Sequence, residues 1–149
     1  MEDEIGYLKK YISIMKLRYP GLFEADFLVE PGCGCAPVKK MLLQPLVENS
    51  IYHGLREKAE GGKICVWVHE KNGRIYFNIK DTGMGMSVEA LEQLKERLKT
   101  EENKISQHIG LSNTNARLIL SYGPGSRLKI NSREGYFTVI WFSVPAGSP

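Results

Sequence analysis

No stretch of this chain approaches the roughly 18 consecutive apolar residues of a membrane-spanning helix. Its start, Met1-Glu-Asp-Glu4, is acidic where a secretory leader is basic and then apolar, so a soluble domain is expected. Cysteine is scarce. Cys33, Cys35 and Cys65 form an odd set with one close pair in a Pro-Gly-Cys-Gly-Cys turn, which argues against a secreted disulfide framework and for a reducing compartment. The Cys33-x-Cys35 pair would make half of a metal site. However, no second Cys or His pair follows, and His53, His69 and His108 stand far apart. Charge of one sign is also lacking. The net charge is +3, with basic and acidic residues interspersed, so no basic stripe marks a nucleic-acid surface. What remains is 149 residues with 42% hydrophobic and 25% charged content, enough for one globular domain with a real core.

The stretch Met41 to Leu55, MLLQPLVENSIYHGL, organises the rest. Wound as an α-helix, it puts Leu43, Leu46, Val47, Ser50, Ile51 and Gly54 on one face and Glu48, Asn49 and Tyr52 on the other. Taken alone, that pattern says only that one face packs on a sheet. Its meaning comes from two glycine-bearing segments downstream, Asp81-Thr-Gly-Met-Gly-Met86 and Ile109-Gly-Leu-Ser-Asn-Thr-Asn-Ala-Arg-Leu118.

Upstream, Ile5, Leu8, Ile12 and Met15 recur at helical spacing from Glu2 to about Tyr19, and Pro20-Gly21 stops the helix. This helix is either an arm packed on the domain or the tail of a longer dimerising helix. Leu22 to Val29 reads as a strand, followed by a Gly/Pro-rich connection from Glu30 to Pro37. Lys63 to Glu70 and Ile75 to Lys80 alternate apolar and polar residues around Asn72-Gly73, the signature of an antiparallel hairpin. The second strand runs directly into Asp81-x-Gly83-x-Gly85. Glycines there let backbone turn tightly and approach a flat ligand, and an Asp at a strand end can accept a hydrogen bond from an exocyclic amine.

Ser87 is the expected N-cap of a helix from Val88 to Lys99 with Leu91, Leu94 and Leu98 on one face. Thr100 to Gln107 is polar, without periodicity, and reads as a mobile lid. The segment His108 to Asn113 leads into a helix expected over Asn113 to Tyr122 and closed by Gly123-Pro124. Backbone N–H groups at that helix start, beside Gly110, form an anion site, with Arg117 one turn inside. Arg127 to Asn131 and Tyr136 to Val144 read as the last two strands, with Thr138 in the second.

Together these segments resemble the ATP-binding domain shared by DNA gyrase, the 90-kilodalton heat-shock chaperones, histidine kinases and the MutL mismatch-repair proteins. Leu43-Gln-Pro-Leu-Val-Glu-Asn-Ser-Ile-Tyr-His-Gly54 is similar to the first motif of sensor histidine kinases of the LytS/YesM type. Asp81, Gly83 and Gly85 match the first glycine motif, and Gly110-Leu-Ser-Asn113 with Asn115-Ala-Arg117-Leu matches the second. The resemblance covers roughly Leu22 to Pro145. It divides the chain into residues 1–20, the end of a linker or dimerisation helix, and residues 21–149, the catalytic ATP-binding domain.

The resemblance implies an α/β (α+β) two-layer sandwich, a mixed sheet covered on one face by three helices. It implies that Asn49 holds Mg²⁺ against the triphosphate of ATP, and that Glu48 orders the metal site or acts as a base. Asp81 would accept the adenine amine, with Gly83, Gly85 and Met86 beside the ring and Thr138 supporting Asp81. Gly110, Leu111, Asn113 and Arg117 would lie toward the phosphates, with His53 at the pocket rim. The implied partners are a phosphoacceptor and dimerisation domain of the same protein, absent from this chain, and a response regulator downstream. The implied setting is the cytoplasmic portion of a membrane-bound homodimer. An ATP hydrolase or ATP-gated clamp, or a non-catalytic dimerisation module, are the competing readings. Two departures stand out. His108 occupies a position where many relatives have glycine, giving either a stiffer lid hinge or an imidazole at the phosphates. The family's phosphoacceptor segment, His followed by Phe-x-Phe-Asn, is absent, so none of the three histidines is the expected phosphorylation site.

Overall fold

Runs of alternating apolar residues assemble into a five-stranded sheet. The computed structural model describes residues 1–33, 38–58, 60–100 and 109–147. In it β1 (Phe23–Val29), β2 (Gly62–Lys71), β3 (Arg74–Asp81), β4 (Lys129–Arg133) and β5 (Phe137–Pro145) lie in the order β1-β2-β3-β5-β4. β1 runs parallel to β2 and the other pairs are antiparallel, which makes the sheet mixed. The β2–β3 hairpin turns at Asn72 and Gly73 with φ of 52° and 69°. Positive φ at both positions is the turn geometry whose twist suits the flanking strands. The register aligns Val66 with Ile79 and Ile140, and Val68 with Phe77 and Phe142, so these side chains share one face and are all almost fully buried.

Among the described residues, four α-helices supply the second layer: α1 (Glu2–Arg18), α2 (Gln44–Asn49), α3 (Val88–Thr100) and α4 (Ile109–Tyr122). Three were expected over the sheet. α1 joins them because Ile5, Leu8, Ile12 and Met15 enter the same core, each worth roughly 1.5–3 kcal/mol in transfer free energy. The Lys9 ammonium also lies 5.3 Å from the centre of the Phe27 ring on β1. Ser87 caps α3 as expected, its Oγ accepting the Ala90 N–H at 3.2 Å.

The opening helix is shorter and less regular than its sequence suggests. Met41 stands at φ 59°, so helical winding starts only at Gln44. After Asn49 the winding widens into a π-helical segment, Ser50–Leu55, where the Arg56 N–H reaches back to the Ile51 carbonyl at 3.0 Å. α4 starts at Ile109, four residues before the expected Asn113. Leu111, Thr114, Asn115 and Leu118 are all buried, and this helical stripe carries the winding back through Gly110. β4 lies two residues later than expected, after a single 3-10 turn at Pro124–Ser126. Apart from Thr100, which ends α3, the expected lid lies outside the described residues, as do His108 and Cys35.

Candidate functional site

α2 and the first turn of α4 enclose a cavity of about 150 Å³ lined by Pro45, Glu48, Asn49, Tyr52, His53, Gly110 and Leu111. Five residues singled out from sequence (Glu48, Asn49, His53, Gly110 and Leu111) therefore meet in one place. Asn49, expected on the polar face, is buried at 9% exposure and lines the cavity between α2 and α4. Glu48 Oε1 accepts a hydrogen bond from Gln44 Nε2 at 2.9 Å. Tyr11 of α1 reaches the same carboxylate. Burial first, then the Glu48 charge, pushes the Tyr11 phenol above its ordinary value. The other wall is the amino end of α4, whose first N–H groups have no acceptor within their own helix and form the positive end of its dipole. Among the described residues a Cβ at Gly110 would meet only Pro45, at an ordinary 3.8 Å, so their packing does not demand glycine there.

The π-helical segment leads from this cavity to Asp81, at the end of β3. Asp81 is 1% exposed, and its Oδ1 accepts the Gly83 N–H at 3.0 Å. Its Oδ2 is buried without a hydrogen-bond partner, as is the Ser50 Oγ. Burial raises the Asp81 carboxyl above the ordinary carboxylate value. The neighbouring Ser50 hydroxyl, the N–H groups of Gly83 and Thr138, and the Lys58 ammonium work against that rise. A buried acceptor left open is costly, which makes Oδ2 the point where an external donor fits.

The two glycines of the first motif serve the loop's own packing. A Cβ on Gly83 would lie 2.3 Å from the Gly54 carbonyl, and one on Gly85, at φ 64°, would lie 2.0 Å from the Arg133 carbonyl oxygen. Close approach therefore lets Met84 donate its N–H to Gly54 O at 2.8 Å, while Met84 O accepts the Gly135 N–H at 2.6 Å. The loop is thereby pinned between the central helix and the β4–β5 hairpin.

Thr138 pairs with Asp81 in register and turns its N–H toward that carboxyl. Its hydroxyl instead meets Ser132 Oγ at 2.9 Å. Ser132 in turn donates to Phe137 O at 2.8 Å and accepts the Met86 N–H at 2.9 Å. Met86 is half-buried against the core.

Two expected residues lie elsewhere. Asn113 is exposed on α4 and does not line the cavity, because the helix begins a turn before it. Arg117 directs its guanidinium to the carbonyls of Lys40 (2.8 Å) and Met41 (3.0 Å). Sequence reasoning passed over Ser50, Gly54, Lys58, Ser132 and Tyr11. Ser50 and Gly54 carried a signal, their place on the apolar face of a helix otherwise lined by large aliphatic residues. The other three meet the site only through tertiary contact.

Among the described residues no helix is long and apolar enough to cross a membrane. The family described as histidine kinase-, DNA gyrase B-, and HSP90-like ATPase matches residues 39–148. The chain is 32% identical over 145 residues to sensor protein LytS of Bacillus anthracis, covering 97% of this chain and 24% of that protein. It is 26% identical over 145 residues to sensor protein kinase HptS of Staphylococcus aureus, covering 97% of this chain and 27% of that protein. The chain thus spans about a quarter of the length of the curated relatives it matches. The catalytic domain of histidine kinase ThkA superposes with a TM-score of 0.66 at 13% identity, over 98% of this chain and 96% of that one. ThkA has also been solved in complex with response regulator protein TrrA. A mixed sheet under helices, a cavity joining the Glu48-Asn49 helix to a glycine-bearing helix start, and these matches converge: the chain belongs to the histidine kinase-, DNA gyrase B- and HSP90-like ATPase family, as an ATP-binding domain of the sensor histidine kinase type.

Proposed function

We propose that this domain binds Mg·ATP along the central helix and transfers the γ-phosphoryl group to a histidine on a dimerisation domain outside the chain. The observation that carries this reading is the open, buried Asp81 Oδ2, lying along the same helix as the cavity that gathers Glu48, Asn49 and Gly110. An acceptor with no partner suits the exocyclic amine of adenine. Gly83 and Gly85 hold the loop around it, and Met86 packs beside the ring. The triphosphate then runs toward the amino end of α4, where first-turn N–H groups with no acceptor in their own helix and the helix dipole favour anionic oxygens.

The donors at the cavity suit Mg²⁺. Among the described residues no group of three or more His, Cys, Asp or Glu could cage a metal. The Asn49 side-chain carbonyl is one hard oxygen donor, too few by itself, and nucleotide oxygens would complete such a set. When bound, Mg²⁺ offsets the charge that builds on the phosphate oxygens. Asn49 would hold the metal and orient the γ-phosphate. Glu48, steadied by Gln44 and Tyr11, takes the proton of the incoming imidazole as the N–P bond forms and the bond from the γ-phosphorus to the bridging oxygen breaks, releasing ADP.

The sensor-kinase names of the relatives and the complex of ThkA with a response regulator support a wider setting in which a sensor passes its phosphoryl group to a response regulator; the family resemblance implies that this sensor is a membrane-bound homodimer with this domain in its cytoplasmic part. The test supplies γ-labelled ATP, Mg²⁺ and a separately expressed helical fragment bearing the phosphoacceptor histidine. Labelling of that histidine is expected. Absence of Mg·ATP binding, or hydrolysis with no labelled histidine, refutes the proposal.

A further inference from the structure

We propose that Glu4 and Arg117 are positioning residues that set the width of the phosphate cavity by clamping residues 40–43 between α1 and α4, an inference that rests on the nucleotide reading of that cavity. Glu4 is buried at 4% exposure, seven residues before Tyr11 and on the same face of α1. Its Oε2 accepts the Met41 N–H at 2.6 Å, and its Oε1 accepts the N–H groups of Leu42 (2.7 Å) and Leu43 (2.8 Å). Those donors lead into α2, whose N-cap Leu43 has no side chain able to cap. A carboxylate from a distant helix does the capping.

From the other side Arg117 donates to the carbonyls of Lys40 and Met41, and the Tyr122 hydroxyl accepts the Lys39 N–H at 2.8 Å. Met41, between these grips, holds a left-handed φ of 59° that a non-glycine residue keeps only when its surroundings enforce it. The cavity walls start from this clamp. α2 presents Glu48 and Asn49 one turn beyond it, and Arg117 stands two turns from Gly110 on the opposing helix. Arg117 is itself exposed, so the apolar core does not account for its geometry. Displacement of α1 shifts one wall of the cavity, and by reciprocity nucleotide between the walls steadies α1.

The test compares wild type, Glu4→Gln, Arg117→Lys and the double variant by calorimetric titration with Mg·ATP and, separately, with adenosine. Each single change is expected to weaken Mg·ATP by roughly 2- to 30-fold and leave adenosine unchanged, because the adenine end does not hang on the clamp. The double variant should lose less than the product of the single losses, since both residues hold one segment. Wild-type Mg·ATP affinity in both single variants overturns the proposal. So does a matching loss of adenosine, the mark of a generally loosened fold, or a fully multiplicative double variant, the mark of Arg117 touching phosphate independently. If Glu4→Gln fails to fold, the exposed Arg117→Lys substitution carries both titrations. A wild type that binds no Mg·ATP overturns instead the nucleotide reading beneath it.

Discussion

Replacing Asp81 by Asn changes one atom in the buried pocket and tests the adenine end directly. Oδ1 already accepts the Gly83 N–H at 3.0 Å, so an amide must place its carbonyl there and its NH2 where the open Oδ2 stood. A donor then faces the adenine amine. The variant loses a charge-assisted hydrogen bond worth about 1.5–3 kcal/mol, which corresponds to about 10- to 150-fold weaker ATP binding. Inosine triphosphate, with a keto group in place of the amine, serves as the control. Wild type should prefer ATP, and Asp81→Asn should reverse or erase that preference, because its amide donor suits the keto oxygen. Calorimetry with both nucleotides measures the change, and thermal unfolding checks the fold. The fold should hold, because the substitution removes a buried charge and keeps the Gly83 contact. Unchanged ATP affinity, or equal losses of ATP and inosine triphosphate, would refute the assignment of Oδ2 to the base.

Asn49→Ala should weaken nucleotide binding in the presence of Mg²⁺ more than in its absence, and equal losses with and without metal in paired titrations would remove Asn49 as a ligand. Gly85→Ala should lower stability by about 1–3 kcal/mol or more in denaturant melts. The new methyl would meet the Arg133 carbonyl oxygen at 2.0 Å in a left-handed backbone, so a wild-type melting curve would contradict the packing described. The unliganded protein should lose stability as pH rises from the ordinary carboxylate value through the raised value of Asp81. The native state keeps that proton longer than the unfolded chain, so the contribution is complete below the unfolded value and gone above the folded one. Chemical denaturation across that range should show this slope flattened in Asp81→Asn; superimposable profiles for the two proteins would argue against it.

The hairpin could be read directly because its causes are local. Asn72-Gly73 accepts positive φ at both positions, and strict alternation on either side decides which face of each strand enters the core. The Ser87 cap and the Gly123 stop are short-range in the same way. Glu48, Asn49, Asp81 and Gly110 were legible as chemistry because their residue types and motif spacing carry the family resemblance. Helix limits set by tertiary packing were less legible. The helix was expected only from Asn113 until burial of Leu111 and Thr114 carried α4 back through Gly110, and nothing near Met41 announces a left-handed residue held by side chains from residues 4 and 117.

Only the folded chain showed that Gly83 and Gly85 admit protein backbone, that Thr138 reaches Met86 through Ser132, and that Arg117 braces the approach to α2. The division follows range. Turn geometry, capping and face alternation are decided within a few residues, so they are written in the order of the chain. Which buried acceptor is left open, and which distant carboxylate caps a helix, depends on how packed elements share their hydrogen-bonding groups, and that is decided only when the whole core closes.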